Sequence, residues 1–305
     1  MGQIFSLITS FLIGVLIARK LGPDNYGILN YSISLVTILG IFFCFGINSV
    51  FVIEFIKNPD KETELLGTFG TIKLVGGFLT LISGVVISLL LNFDRLTTWL
   101  IATYSVTYIF QAIDVIGLLF QAKVQSKKIS ISQITGNSIS LLLKIAWLGF
   151  SSNLFLLVAI YILDIVFNGI FLIYYYRQSG NKLKLWKFNL ARAKKIIATA
   201  WPIMFSGLAI LAILKIDQVI IGLMLDKTAV GLYAVADRLT EVWDFIPRMI
   251  CLSLFPAIIN AQKTDELVYR KRLKRLYWLM FWLSIAILLG NLIIAKPLIN
   301  LLLGP

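Results

Sequence analysis

The stretch LGPDNYGILNY (residues 21–31) returns 204 residues later as LDKTAVGLYAV (225–235), and this recurrence decides the predicted architecture. Gly27 of the first copy aligns with Gly231 of the second, and a Ser-x-Phe triplet follows at corresponding positions in both. Each copy reads as a helix, a short turn that ends in glycine, and a second, longer helix. The chain is therefore predicted to contain an internal structural repeat.

The composition of the chain is that of a protein embedded in a membrane. Of its 305 residues, 59% are hydrophobic and only 14% are charged, and the mean hydropathy is +0.89. The sequence has no histidine, which excludes His-based metal sites and His general bases. Cys44 and Cys251 both lie in apolar runs, so a disulfide scaffold is not expected.

Apolar runs long enough to cross a bilayer recur along the whole chain. Charged or Gly/Pro-containing breaks divide them into nine predicted transmembrane spans. These spans lie near residues 4–18, 28–53, 66–91, 98–120, 129–150, 155–176, 198–225, 232–258 and 276–295.

Basic residues are concentrated in every second predicted loop. The loops that follow the even-numbered spans carry eighteen basic residues, and those that follow the odd-numbered spans carry five. The positive-inside rule then places the even loops and the amino terminus in the cytoplasm. The same bias explains most of the net charge of +13.

Six spans separate the two copies of the repeat. An even number preserves the direction of insertion, so the copies are predicted to be parallel and related by an axis along the membrane normal. A complete architecture of this kind holds twelve helices in two lobes, whereas the chain stops after nine. We therefore expect residues 1–176 to form a first six-helix lobe, residues 198–305 to form the first three helices of a second lobe, and the last three helices to be missing from a truncated product.

The segment between the two expected lobes, residues 177–197, holds the densest cluster of basic residues. Its lysines and arginines alternate with Trp186 and Phe188, a pattern that suits either nucleic acid or the membrane surface. The topology already requires positive charge at this place, which favours a cytoplasmic interfacial linker on anionic lipid and not a nucleic-acid site.

Three segments resemble one known family of transporters. LIARKLGPDNYG (16–27), FQAKVQSKK (120–128) and IDQVIIGLMLDKTAVGLYAVADRLTEVWDFIPRMICLSLFPAII (216–259) are similar to the Wzx-type polysaccharide flippases of the MATE/MurJ-like exporter superfamily. The resemblance implies an all-α polytopic fold with two six-helix lobes around a central cavity. It also implies movement of an undecaprenyl-pyrophosphate-linked oligosaccharide from the cytoplasmic to the outer leaflet of a bacterial or archaeal cell membrane, alongside polysaccharide-assembly proteins.

Charged residues at membrane depth are candidates for the substrate cavity, because their insertion costs several kcal/mol unless they face a partner or water. Lys144 and Asp164 are placed almost symmetrically about a short loop, which predicts similar depths. They form either a structural ion pair or a cationic site for pyrophosphate in which Asp164 orients the lysine. Asp114 in the fourth span joins the candidate cavity residues.

The second copy of the repeat carries a further group of charges. Lys215 and Asp217 are two apart on one helix and therefore point in different directions. Lys215 is open to two readings, a second cavity cation or a partner of charges on the eighth span. The resemblance favours Asp217 as the family-type position.

The eighth span carries an acidic stripe that faces protein or water. Asp237, Glu241 and Asp244 fall on one helical face, and Arg238 lies beside the first of them. The stripe is either a cation or proton site that couples transport or a polar gate near the outer end. Pro202 and Pro247 are candidate helix kinks in the second lobe.

Arg19 is predicted at the outer end of the first span. It either extends to the lipid headgroups or contacts a substrate phosphate from the outer side.

The alternatives to a flippase are a cation or drug antiporter of the same superfamily and a membrane glycan polymerase. The buried basic residues argue against the antiporter, and the very short outer loops argue against the enzyme. No phosphate-binding glycine motif is present, so neither an ATPase activity nor a cofactor is expected from this chain.

Overall fold

A computed structural model of the chain describes residues 2–44, 47–264 and 266–303. Side-chain environments are described outside residues 2–10, 41–44 and 293–303, and outside scattered positions of α2, α8 and α9. Within the described residues the fold is entirely helical. Its helices are α1 (Gly2–Cys44), α2 (Ile47–Lys57), α3 (Glu62–Leu90), α4 (Arg95–Phe110), α5 (Val115–Ala122), α6 (Ser126–Phe150), α7 (Leu154–Gln178), α8 (Leu190–Met224), α9 (Lys227–Thr264) and α10 (Glu266–Leu303).

The chain is an all-α polytopic membrane protein, as the sequence predicts. Within the described residues, four helical stretches are long and apolar enough to cross a bilayer: Pro59–Leu90, Arg95–Ala122, Leu154–Gln178 and Glu266–Leu292. The nine predicted spans coincide with helix wherever the chain is described. The total of nine stays a prediction.

The predicted turn after the first span is a sharp kink inside α1. Gly22 has φ 72° and ψ 171°, a conformation that favours glycine because a Cβ would be strained there. Pro23 follows at once, where its fixed φ suits the start of a helix. Gly22 therefore divides α1 into the first span and the beginning of the second.

The fourth predicted span is also broken. A 3-10 turn, Gln111–Asp114, separates α4 from α5. Close by, the backbone of α4 approaches α3 tightly, because a Cβ on Gly77 would lie 2.7 Å from the nitrogen of Ile109. Small residues that let backbones approach in this way are typical of helix contacts in membranes.

The turns divide the molecule into two ends. The turns at residues 58–61, 123–125 and 179–189 form what we call the basic end, and those at Gly22, 91–94, 151–153 and 225–226 form the short-turn end. An aromatic and aliphatic core around Phe51, Phe69 and Phe120 lies toward the basic end, and a second core around Trp147 and Leu157 lies toward the other.

The basic linker is fixed to α3. The backbone nitrogen of Lys187 donates to the Thr63 carbonyl at 3.1 Å, and the Asn189 side chain donates to Glu64 at 2.8 Å. Glu64 also pairs with the Nε of Arg192 at 2.9 Å. The lysines of the linker are exposed, as is Phe188. The start of α8 is therefore attached to α3 by both main-chain and side-chain contacts.

Candidate functional site

Lys144 of α6 and Asp164 of α7 form the ion pair that their spacing predicts. The Lys144 Nζ lies 3.5 Å from Asp164 Oδ2, and both side chains are mostly buried, with 15% and 26% exposed. The same ammonium group lies 4.7 Å from the centre of the Tyr161 ring, one turn before Asp164 on α7. Lys144 therefore has two partners on one helix face, one ionic and one aromatic.

Arg238 reaches this pair from α9, on the other side of the linker in sequence. Its guanidinium packs against Gly14 of α1 so closely that any Cβ on Gly14 would overlap it. Its positive charge acts on both Lys144 and Tyr161. We call Lys144, Asp164 and Arg238 the three-charge cluster. Its two cations come from opposite sides of the linker.

A second group of polar contacts joins α1, α8 and α9. Lys215 Nζ lies 3.5 Å from Asp237 Oδ2, and the Gln218 amide donates to the same carboxylate at 3.0 Å. Ser34 of α1 in turn donates to Gln218 Oε1 at 2.6 Å. We call these four residues the Gln218 network. Asp237 and Arg238 are adjacent in the chain, so the network lies next to the three-charge cluster.

Two other predicted cavity residues have different partners. Asp114 pairs with the buried Lys73 of α3 at 3.6 Å, at the 3-10 turn that breaks the fourth span. Asp217 accepts a hydrogen bond from the Tyr233 hydroxyl at 2.8 Å, at an exposed position. Asp114 and Asp217 therefore have partners that belong neither to the three-charge cluster nor to the Gln218 network.

The remaining predicted residues differ in how far they are described. The side chain of Glu241, like that of Asp244, lies outside the described residues. Arg19 is exposed at the short-turn end, and the neighbouring Lys20 donates to the Leu148 carbonyl at 2.6 Å. The proposed role of Arg19 in phosphate contact stays a prediction.

Sequence reasoning missed the neutral members of these clusters. Gln218, Ser34 and Tyr161 carry no charge, and amides or hydroxyls in apolar helices are too common to single out. Lys73 was visible as a charge within a span, but its partner lies 41 residues away and no spacing rule joins them. Among the described residues, no group of His, Cys, Asp and Glu is arranged to hold a metal ion.

A family model and one known relative show which proteins this chain is similar to. A family model described as "Polysaccharide biosynthesis protein" matches residues 1–262. The capsular polysaccharide biosynthesis protein CapF of Staphylococcus aureus is 21% identical over 305 residues, which cover 99% of this chain and 75% of that protein.

A solved structure shares the fold. It is titled as the inward-facing conformation of a multidrug resistance MATE family transporter of the MOP superfamily. It matches with a TM-score of 0.71 at 15% identity, over 97% of this chain and 72% of that one. The likeness to this transporter is one of fold, and the family match concerns polysaccharide biosynthesis.

Proposed function

The chain belongs to the polysaccharide biosynthesis protein family, and on that premise we propose that it flips lipid-linked oligosaccharide units across the cell membrane. The substrate would be an undecaprenyl-pyrophosphate-linked oligosaccharide destined for cell-surface polysaccharide. Two lobes, residues 1–176 and the helices that follow the linker, would move against each other in alternating access, with the amino terminus in the cytoplasm.

The three-charge cluster is the observation that carries this proposal. A pyrophosphate needs cations at membrane depth, where few groups other than a lysine or arginine can replace its water. Lys144 and Arg238 supply two such cations. A site for a cationic drug would need carboxylates in their place.

The position of the cluster suits a site that changes with the state of the transporter. Lys144 and Asp164 belong to the first proposed lobe, whereas Arg238 belongs to the second. Movement of one lobe against the other therefore changes the distance between the two cations. A ligand that bridges both cations would bind one arrangement more tightly than the other, which is the requirement for shifting a conformational equilibrium.

Partly exposed carboxylates offer a place for a coupling proton or cation. Asp237 in the Gln218 network has 24% of its side chain exposed and contacts Lys215. Because Asp237 and Arg238 are neighbours, a change of charge on Asp237 would act directly on the three-charge cluster. We propose that the Gln218 network couples transport to such an ion.

The test is glycan export in a bacterial strain whose own flippase gene for that glycan is deleted. The chain should restore surface polysaccharide and remove the accumulated lipid-linked intermediate. Lys144→Met and Arg238→Met should each reduce export by about ten-fold or more, because each removes a charge contact to the substrate. Lys184→Met, in the exposed linker, is the matched control and should export normally.

The outcomes separate the candidate functions. Variants of Lys144 and Arg238 that reach the membrane in normal amounts and still export would remove the three-charge cluster from the mechanism. A chain that leaves the lipid-linked intermediate in place but expels cationic drugs would be an antiporter. Precursors that still reach the outside, but unpolymerised, when the gene for this chain is deleted from its own cell would indicate a polymerase.

A further inference from the structure

The short-turn end holds a direct contact between the two copies of the sequence repeat. Gly27 of α1 lies so close to α9 that a Cβ would overlap the Lys227 carbonyl oxygen, and a Cβ on Gly231 would overlap that of Pro23. Thr228 donates a hydrogen bond to Asp24 across the same contact. The two backbones therefore touch with no side chain between them.

Lys227 adds a charged contact beside the glycines. Its ammonium lies 3.2 Å from the centre of the Tyr31 ring and 5.2 Å from that of Phe93. These two rings pack edge to face at 5.4 Å, and Tyr31 is completely buried. An ammonium on the faces of aromatic rings is attracted by their negative quadrupole, more strongly as water is removed.

Asp94, in the turn between α3 and α4, is the third group that acts on the Lys227 ammonium. Burial would by itself raise the pKa of Asp94, but hydrogen bonds from Thr97 and the positive charge of Lys227 together lower it. Burial lowers the pKa of Lys227, and the negative charge of Asp94 opposes that effect only in part. The ammonium is therefore held at a cost in hydration that it would recover on leaving.

These contacts have the character of a reversible closure. The glycine backbones meet with no side chain between them, and apolar side chains, Tyr31 and Val230 among them, are buried beside them. The hydration that Lys227 would regain favours separation, whereas the rings, the buried apolar side chains and Asp94 favour contact. Contributions of both signs therefore act at this contact, as a contact that opens and closes requires.

We propose that Asp24, Gly27, Lys227, Thr228 and Gly231 form a latch that closes the outer side of the transport path and opens once in each cycle. In the closed latch the ammonium of Lys227 lies beside Tyr31, Phe93 and Asp94. The assignment of this end to the outer side rests on the proposed topology, and the cycle rests on the proposed function. In the open state the Lys227 ammonium is hydrated and no longer contacts the two aromatic rings.

Cross-linking tests whether the latch must open. With Cys44 and Cys251 replaced by serine, the pair Asp24→Cys and Thr228→Cys should form a disulfide on mild oxidation. Export should fall to the level of a strain without the protein and recover with reductant, whereas the export of each single cysteine variant should be the same before and after oxidation. Absence of the cross-link, or normal export by the cross-linked protein, would overturn the latch.

Labelling tests the latch without any substrate. Val230 is completely buried beside the latch, so Val230→Cys should react slowly with a membrane-impermeant maleimide added from outside. Lys227→Met should increase this rate by about ten-fold, and the exposed linker variant Lys182→Met should leave it unchanged. An unchanged rate in Lys227→Met would also overturn the latch. A protein that forms the cross-link and passes the labelling test but exports no oligosaccharide would refute the proposed function alone.

Discussion

Asp24 and Thr228 are hydrogen-bonded to each other, and they are also equivalent positions of the two sequence copies, 204 residues apart. Gly27 and Gly231 show the same relationship, since each packs against the backbone of the other copy. Parallel copies related by an axis along the membrane normal bring equivalent residues together only next to that axis. With the proposed parallel arrangement of the copies, these contacts would place the axis between α1 and α9, at the short-turn end.

Alanine at either glycine of this contact should destabilise the protein. Gly27→Ala and Gly231→Ala each place a methyl group where backbone atoms already lie, so we expect a loss of about 1–3 kcal/mol in the free energy of unfolding. Thermal unfolding of the detergent-solubilised protein measures it. Gly149→Ala is the matched control, because its surroundings are open; alanine there should be neutral or slightly stabilising. Equal effects at all three positions would contradict the close contact.

A double-mutant cycle on Lys144 and Asp164 separates structure from transport. Lys144→Met or Asp164→Leu alone leaves one buried charge without its ionic partner and should lower stability by about 3 kcal/mol. The double variant should recover most of this loss, because neither member of the ion pair is left without the other. Its export should nevertheless stay low, since the lysine that would contact the substrate is absent. Recovery of both properties would show that the pair is purely structural.

The Gln218 network should depend on its neutral members. Gln218→Leu deprives the Ser34 hydroxyl and the Asp237 carboxylate of a buried partner, at an expected cost of about 1–3 kcal/mol in unfolding free energy. Ser284→Ala serves as the control, because that exposed hydroxyl bonds only within its own helix, to the Met280 carbonyl. A thermal midpoint that is the same in both variants would rule out a structural role for Gln218.

Acid should weaken the turn that holds Asp94. The folded-state pKa of this carboxyl lies below its ordinary value of 3.8, so the folded chain binds fewer protons here than the unfolded chain. Its contribution to stability is complete above pH 3.8 and is lost as the pH falls through the lower folded-state pKa. Unfolding followed from about pH 5 to pH 2 should show a shallower slope in Asp94→Asn than in the parent.

The control for this measurement is Asp60→Asn, in an exposed turn at the other end of the molecule. A slope in Asp60→Asn as shallow as that in Asp94→Asn would show that the effect is not specific to Asp94. If Asp94→Asn retains the parent slope, the hydrogen bonds from Thr97 and the charge of Lys227 do not stabilise the ionised carboxylate.

The sequence predicted those features that arise from local patterns. Apolar runs and the distribution of basic residues predict the helices, and the glycines at 22 and 27 predict a turn, whereas the close approach at Gly27 is seen only in the structure. The Lys144–Asp164 contact was also predictable, because a short loop fixes the two helices side by side.

Contacts between distant segments were not predictable in the same way. Nothing in the spacing brings Arg238 to Gly14, or Ser34 to Gln218, because these contacts depend on how α8 and α9 lie against α1. The cation–aromatic contact of Lys227 with Tyr31 was missed for a similar reason. An aromatic residue in an apolar helix gives no sign that its ring faces a charge.

The attachment of the linker to α3 determines where bending can occur. Lys187, Asn189 and Arg192 clamp the first turn of α8, so the linker is not a slack tether between the two halves. The rotation of α9 away from α1 that the proposed latch requires can be absorbed farther along α8 at Pro202, which leaves one main-chain carbonyl without its helical donor. On that proposal the hinge lies within the helix itself, and the remainder of α8 moves together with α9.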